Sequence, residues 1–73
     1  MKYVYPRIRD LREDNDLTQE HLANRLNLHL TQYRRYETGE SEVPVHIVKE
    51  LALFYNVSSD YLIGITNEPT AIK

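Results

Sequence analysis

The sequence has no cysteine and little glycine or proline, and each shortage excludes a class of protein. The missing cysteines exclude disulfides and thiolate metal sites, which agrees with a reducing compartment. Two glycines and three prolines are too few for a turn-rich β domain. No segment approaches the ~20 apolar residues of a membrane helix, and residues 1–7 lack the apolar run of a signal peptide. We therefore expect a soluble, cytoplasmic, all-α protein.

A chain of 73 residues is long enough for one small domain and too short for a large two-layer enzyme core. A domain of this size buries only ~60% of the surface that its unfolded chain exposes, so its helices must pack well or find a partner chain. No repeat, low-complexity tract or linker interrupts the sequence. We expect a single domain over residues 1–73, with a core over about 5–66 and a short tail over 67–73.

Apolar side chains recur at intervals of three and four residues, which predicts amphipathic helices. The predicted spans are about 5–15, 18–26, 29–38, 44–55 and 59–64. Thr18 and Ser58 are predicted N-caps of two helices, and His29 is a weak cap for a third. Pro44 suits the first turn of the fourth helix, where its missing N–H costs nothing. Residues that tolerate a left-handed backbone mark the helix ends, namely Asn15-Asp16, Asn27, Gly39 and Asn56.

The charges are distributed unevenly along the chain. The formal net charge is −2, which by itself argues against a polyanionic partner. Residues 1–39, however, have seven basic and six acidic side chains, whereas residues 40–73 have two basic and five acidic ones. The stretch from His21 to Tyr36 contains three arginines and no acid. The sequence therefore predicts a local basic surface on an acidic protein.

The stretch from Leu17 to Gly39 has the spacing of a helix-turn-helix, because only Asn27 and Leu28 separate two short predicted helices. The side chains expected to fill the angle between these helices are Leu22, Ala23, Leu26, Leu28 and Tyr33. Tyr33 and Tyr36 are expected in the core and not stacked on bases. The side chains left outward on the second helix are Leu30, Thr31, Gln32, Arg34, Arg35 and Thr38. This outward surface has hydrogen-bond donors and no carboxylate.

The chain resembles the XRE or Cro/CI-type (lambda-repressor-like) helix-turn-helix family in four segments: Leu17–Ala23, Arg35–Gly39, Glu42–Pro44 and Tyr55–Gly64. The resemblance covers roughly residues 7–66. It implies a compact five-helix DNA-binding domain with the helix-turn-helix at helices two and three. It also implies a transcriptional regulator that binds operator DNA as a dimer.

The resemblance implies roles for single side chains as well. Gln19 matches a glutamine that contacts a DNA phosphate and also supports the first residue that contacts a base. The base readers at the start of the recognition helix and one turn later correspond to Leu30, Thr31, Gln32, Arg34 and Arg35. Further DNA contacts are expected at Thr18, His29 and Thr38, of which Thr38 matches a phosphate-contacting position.

Two positions depart from the family pattern. His29 stands where the family usually has a serine that caps helix three. Leu30 stands where a polar reader such as glutamine is common, and a leucine cannot hydrogen-bond a base edge. An apolar contact to a thymine methyl group is what remains for it. The family's pattern of base readers therefore does not transfer to this chain.

The resemblance further implies a structural ion pair. Arg12 and Glu37 match an arginine of helix one and a glutamate closing helix three that form a largely buried pair in several members. Such a pair would set the angle at which helix three is presented. The alternative is that Arg12 and Glu37 are both exposed to solvent and do not contact each other. The alternative for Arg34 and Arg35 is an ordinary solvated helix face.

The chain offers no pattern typical of catalysis or metal binding. The three histidines have no metal-ligand spacing, and no acid completes a set with them. A glycine-rich phosphate loop and a nucleophile elbow are both missing. We expect no enzyme activity, no catalytic residue, no metal and no cofactor, and no small-molecule ligand is evident.

The leading hypothesis is a sequence-specific regulator, and more specifically a repressor, that occupies a palindromic operator in double-stranded DNA as a homodimer. With no sensor domain in the sequence, any ligand control is expected from another protein. The candidate dimerisation residues are surplus apolar side chains in the second half: Leu53, Ile63, Ile65 and Ile72. The alternative is a protein-interaction module with the same fold, such as an antitoxin-like or anti-repressor subunit. The net charge of −2 and the acidic second half support that alternative.

Overall fold

The computed structural model describes residues 4–70, and within that range it has helices and no strands. The five helices are α1 (Pro6–Asp14), α2 (Gln19–Arg25), α3 (Leu30–Thr38), α4 (Val45–Tyr55) and α5 (Ser59–Ile63). The predicted all-α class is confirmed, with each boundary within two residues of its expected place. No helix in the described range has the length and apolar character needed to cross a membrane.

The helix starts follow the capping chemistry of the sequence. The Thr18 hydroxyl accepts a hydrogen bond from the His21 N–H at 3.0 Å, and the Ser58 hydroxyl accepts one from the Tyr61 N–H at 3.0 Å. The side chain of His29 makes no such bond at the start of α3. Two strong caps and one weak cap are therefore confirmed, since only the hydroxyls accept a bond from the free amides of their helices.

Pro44 lies just before α4 and not within its first turn, which corrects the sequence prediction by one residue. Its ψ of 153° is extended, and its carbonyl oxygen accepts the first helical bonds from the Ile47 and Val48 N–H groups, both at 3.0 Å. Pro44 is therefore the residue that precedes the helical backbone while its carbonyl already belongs to the helix. The lack of an N–H costs nothing there either.

The helices end where the sequence offers residues that tolerate positive φ. Asp16, Asn27 and Asn56 have φ values of 56°, 59° and 57°, and Gly39 has 85°. Gly39 is required for a second reason, because a Cβ atom there would lie 2.5 Å from the Cγ2 atom of Val4. The chain before α1 therefore packs directly on the end of α3.

Each of the five helices contributes one large, fully buried side chain to a single core. These side chains are Ile8, Leu22, Tyr33, Leu51 and Leu62. Ala23 is also buried where α2 meets α3, and its small side chain lets the two helices approach. The burial of Tyr33 and Tyr36 confirms that both are core residues.

Arg7 of α1 holds the segment that follows α5. Its Nη1 atom donates to the carbonyl oxygens of Tyr61, at 2.8 Å, and of Thr66, and its Nη2 atom donates to Asn67 Oδ1 at 2.6 Å. The guanidinium also lies 4.0 Å from the centre of the Tyr61 ring. The Ser58 N–H donates to the Pro69 carbonyl at 3.0 Å. Residues 66–69 therefore lie against α1 and the start of α5.

Candidate nucleic-acid interface

Helices α2 and α3 form the predicted helix-turn-helix. Asn27 turns the chain with positive φ, and the Leu28 N–H donates back to the Ala23 carbonyl at 2.8 Å. Leu22 and Leu26 are buried in the angle, and Leu28 packs partly buried against them. This apolar packing fixes how α3 crosses α2, which leaves one side of α3 facing solvent.

The solvent-facing side of α3 carries hydrogen-bond donors. The exposed side chains on it are Thr31, Arg34, Arg35 and Thr38. Gln32 is half-buried. Leu30 was expected to point outward, but it is half-buried and packs against the hydrophobic core. The correction has a simple reason, because an apolar side chain at the edge of a core gains free energy by covering it.

The only acid in α3 is removed from that surface. The Glu37 side chain is 3% exposed and receives Arg12 Nε at 2.7 Å and Arg12 Nη2 at 3.2 Å. The Arg12 side chain is 13% exposed. Glu37 is therefore neutralised inside the protein, and the two side chains join α1 to α3 by a two-point contact that fixes their relative orientation.

Glu37 accepts two further hydrogen bonds, which makes it the centre of a network. The Tyr33 hydroxyl donates to its Oε2 at 2.6 Å, and Gln19 Nε2 donates to its Oε1 at 3.0 Å. Arg12 Nη1 extends the network to the Leu17 carbonyl at 2.9 Å. A buried carboxylate is tolerated because donors surround it. The network joins α1, α2 and α3 beside the exposed side chains of α3.

The network shifts the pKa values of its members. Burial by itself raises the pKa of Glu37, but the hydrogen bonds from Arg12, Tyr33 and Gln19 outweigh it, so this pKa lies below its ordinary value. Burial and the bond to Glu37 raise the pKa of Tyr33. Burial, with the nearby Glu37 charge, also raises the pKa of Tyr55 to about 12. Glu37 therefore stays charged and both tyrosines stay neutral at pH 7.

Reasoning from the sequence missed the contacts of this network other than the Arg12–Glu37 pair, and two of them differ in whether a local pattern could have indicated them. One is the Tyr33 hydroxyl on Glu37, for which the spacing of four residues within one helix was an available indication. The other is Arg34, whose Nε donates to Gln19 Oε1 at 3.1 Å. Nothing in the local pattern indicated this second contact, because the two side chains are on different helices.

The remaining predicted DNA contacts lie around the same surface. Thr18 and His29 are exposed at the starts of α2 and α3. The Thr38 hydroxyl donates to Glu40 Oε1 at 3.1 Å. An acid therefore lies beside the position that was expected to bind a phosphate, which opposes an anion there.

Of the candidate dimerisation residues, Leu53 lies on α4, Ile63 ends α5 and Ile65 follows it. Leu53 is 67% exposed and Ile65 is 70% exposed, while Ile63 is half-buried. Ile72 lies outside the described residues. Val45, which the sequence reasoning did not select, is 85% exposed. A groove beside these side chains is lined by Tyr5, Val43, Val48 and Ala52, and also by the polar side chains Glu42, Lys49 and Ser59. An apolar surface is thus available on α4 and α5.

Within residues 4–70 no cluster of three or more His, Cys, Asp or Glu side chains has the geometry of a metal site. The titratable groups brought together by the fold are those of the Glu37 network, and its carboxylate already accepts hydrogen bonds from Arg12, Gln19 and Tyr33.

Comparison with known proteins agrees with this arrangement. A helix-turn-helix family model, HTH_3, matches residues 8–62. The uncharacterized HTH-type transcriptional regulator YobD of Bacillus subtilis (strain 168) is 36% identical over 63 residues, which are 86% of this chain and 56% of that protein. The cryptic phage CTXphi transcriptional repressor RstR of Vibrio cholerae is 41% identical over 51 residues, which are 70% of this chain and 46% of the repressor. The chain spans about half the length of these curated relatives.

A solved structure shows the same fold. The crystal structure of a transcriptional regulator from Listeria innocua aligns with a TM-score of 0.79 over 93% of this chain and 64% of that chain, at 22% identity. Both curated relatives carry the names of transcription regulators, as the sequence analysis expected of this chain. The match over residues 8–62, together with the 36% identity to YobD, places this chain in the XRE-type helix-turn-helix family.

Proposed function

We propose that the chain is a sequence-specific DNA-binding transcriptional regulator, and a repressor that occupies an operator in the cytoplasm. The observation that carries this proposal is the surface of α3. Its one acid, Glu37, is buried against Arg12, while Arg34 and Arg35 are exposed. A chain of net charge −2 therefore presents a cationic helix to solvent. Phosphate contacts depend on such a local field and not on the net charge.

We assign base-reading roles to side chains of α3 and backbone contacts to the residues just before α2 and α3. Arg35 and Thr31 are exposed and are proposed to reach base edges. An arginine can bond guanine with two N–H groups, and a threonine hydroxyl can donate to or accept from a base edge. The exposed Thr18 and His29 are proposed to contact the backbone. Leu30 and Gln32 are half-buried, so Leu30 offers only its outer edge to a thymine methyl group.

Two copies of the chain are proposed to bind a palindromic operator. One nine-residue helix covers few base pairs, and a two-fold pair doubles the contacts. The exposed Leu53 and Ile65 supply an apolar surface at which two copies would associate, and Ile63 lies beside them. The acids of residues 40–73 other than Glu40 then stay away from the phosphates. The two recognition helices are expected ~34–36 Å apart.

Selection of bound sequences from a random duplex pool tests the function and the symmetry together. We expect an enriched palindrome, saturated by two chains per duplex, with binding that weakens steeply as salt rises. Arg35→Ala and Thr31→Ala should each reduce the preference for that operator by ~1–3 kcal/mol. Arg25→Ala, whose guanidinium lies over the Phe54 ring and not at α3, is the charge-matched control and should leave sequence preference unchanged. One chain per duplex without a palindrome would contradict the dimer.

A protein-interaction module is the second candidate, because the exposed apolar side chains Val45, Leu53 and Ile65 fit a different protein as well as a second copy. Salt titration on a mixed-sequence duplex separates the two functions. Binding that is weak and insensitive to salt would favour the interaction module, since DNA binding through several phosphates releases counterions.

A further inference from the structure

The Gln19 carboxamide lies between two groups of opposite hydrogen-bonding character. Its Nε2 donates to Glu37 Oε1 at 3.0 Å, and its Oε1 accepts from Arg34 Nε at 3.1 Å. A carboxylate can only accept and a guanidinium can only donate. The reverse orientation of the amide would lose both bonds, so the partners themselves determine which end is which.

The two ends of this amide have different surroundings. Glu37 is buried, with a side chain that is 3% exposed, whereas Arg34 is exposed and Gln19 is half-buried between them. The end of Gln19 beside the exposed arginine is therefore its carbonyl oxygen. Phosphate oxygens accept hydrogen bonds and do not donate them, so a carbonyl oxygen does not bind a phosphate. The guanidinium that it holds does. The Nε2 group, which could donate to a phosphate, lies at the other end of the amide, against the buried Glu37 carboxylate.

We propose that Arg34 is the phosphate anchor of α3 and that Gln19 is a positioning residue that acts through Arg34 without binding DNA itself. This proposal rests on the proposed function. It departs from the role that the family resemblance implies for Gln19, which is a phosphate contact. The chain of contacts runs from Arg12 through Glu37 and Gln19 to Arg34. The buried pair thus sets the direction of an exposed cation.

The neighbouring positions explain why Gln19 braces this arginine. Leu30, at the start of α3, has no polar atom on its side chain and packs against the core. Leu30 therefore cannot form a hydrogen bond with Gln19, and Arg34, one turn further along the helix, forms it instead. Holding the guanidinium before DNA arrives reduces the side-chain freedom that binding would otherwise cost.

Arg35 provides the contrast within the same helix. Among residues 4–70, no side-chain hydrogen bond or ion pair is found for Arg35, and the side chain is exposed. An arginine that is not held in place can adjust to a base edge, whereas a held arginine suits a phosphate at a constant position. The two adjacent arginines therefore have different tasks.

A double-mutant cycle with Gln19→Ala, Arg34→Ala and the double variant tests the proposal on a mixed-sequence duplex across a salt series. Arg34→Ala should weaken binding about tenfold and lower the slope of log K against log salt by ~1. Gln19→Ala should weaken binding roughly threefold, because Arg34 must then be ordered on binding, and should leave the slope unchanged. The double variant should bind as Arg34→Ala does, within about twofold. Arg25→Ala is the charge-matched control, because its guanidinium lies over the Phe54 ring and not at α3.

Independent losses, with the double variant about thirtyfold weaker than wild type, would overturn the proposal, because Gln19 would then contact DNA itself. An unchanged salt slope for Arg34→Ala would also overturn it. A wild-type chain without salt-dependent duplex binding would overturn the proposed function, and the proposal with it, so the wild-type curve separates the two failures. Thermal melts of each variant exclude unfolding as the cause, since Glu37 keeps its bonds from Arg12 and Tyr33 in Gln19→Ala.

Discussion

The α2–α3 region and the α4–α5 region place charged and apolar side chains in opposite ways. Beneath α3, a carboxylate and a guanidinium are buried together, and the exposed surface is polar. The α4–α5 region buries Ile47, Leu51 and Leu62 and exposes Leu53 and Ile65. A buried charge network orients the exposed side chains bonded to it, whereas an exposed apolar surface can be buried when another protein binds. The comparison supports our proposal that the first region contacts DNA and the second contacts protein.

Helix α1 connects these two regions through two arginines on different turns. Arg12 contacts Glu37 of α3, and Arg7 contacts Tyr61 and the segment after α5. The Arg12 contact is buried and bidentate to a charge, whereas Arg7 binds neutral oxygens near the surface. Loss of Arg12's partner should therefore cost much more stability than loss of Arg7.

Removal of Glu37 should have the largest effect. Glu37→Ala leaves Arg12 buried without a partner and should lower the free energy of unfolding by ~3–5 kcal/mol. The double variant with Arg12→Leu should recover a large part of the loss, because no unpaired charge then remains. Denaturant unfolding of the three proteins measures both values. A Glu37→Ala melt close to that of wild type would contradict the buried network.

Acid should weaken the same network. Because the pKa of Glu37 lies below its ordinary value of 4.5, its charge contributes stability at pH values above the unfolded pKa. That contribution is lost as the pH falls through the lowered folded pKa. We expect wild-type stability to fall more steeply in this range than that of Glu37→Gln, as followed by denaturant unfolding at a series of pH values. Parallel curves would show that Glu37 is not the coupled carboxylate.

Two tyrosines provide a matched test of the polar and apolar regions. Tyr33→Phe removes a bond to a charged carboxylate and should cost ~1.5–3 kcal/mol. Tyr55→Phe should be neutral or stabilising by up to ~1 kcal/mol, because the buried Tyr55 hydroxyl has no partner among residues 4–70. Thermal melts of both variants suffice. Equal losses would contradict the difference between the two regions.

Release of the segment after α5 should have a smaller and local effect. Arg7→Ala should cost ~1 kcal/mol and speed hydrogen exchange of the Ser58 amide, which donates to Pro69. Arg9→Ala is the control on the same helix. Arg9 is exposed, and among residues 4–70 its ion-pair partner is Glu13 at 3.2 Å, so its loss should change the free energy of unfolding by no more than ~0.5 kcal/mol. Unchanged exchange at Ser58 in Arg7→Ala would mean that other contacts hold the segment.

The smallest effect on stability is expected at Leu53. Leu53→Ser changes a side chain that is 67% exposed, so the free energy of unfolding of the monomer should change by less than ~0.5 kcal/mol. The number of chains bound per operator should nevertheless fall from two to one. Titration of an enriched operator, followed by light scattering, measures this number. Two chains per duplex for Leu53→Ser would place the dimer contact elsewhere.

The sequence by itself determined the helix boundaries, the two hydroxyl caps and the core positions of Tyr33 and Tyr36. These features depend on bonds and spacings within a few residues, such as the Thr18 hydroxyl on the His21 amide. Positive φ at Asn27 and Asn56 is local in the same sense. The helix-turn-helix could also be predicted from the sequence, because its two helices and the turn between them lie within one short stretch of chain.

The tertiary structure alone decided what the polar side chains of the interface contact. Gln19 is eighteen residues from Glu37 and fifteen from Arg34, so its two bonds form only after α2 and α3 have crossed. Leu30 packs against the core, and this too depends on tertiary structure, because the apolar surface that it covers is formed by other helices. Arg7 reaches Tyr61 across fifty-four residues. Local propensity carries no information on such contacts, because they depend on the angles at which packed helices meet.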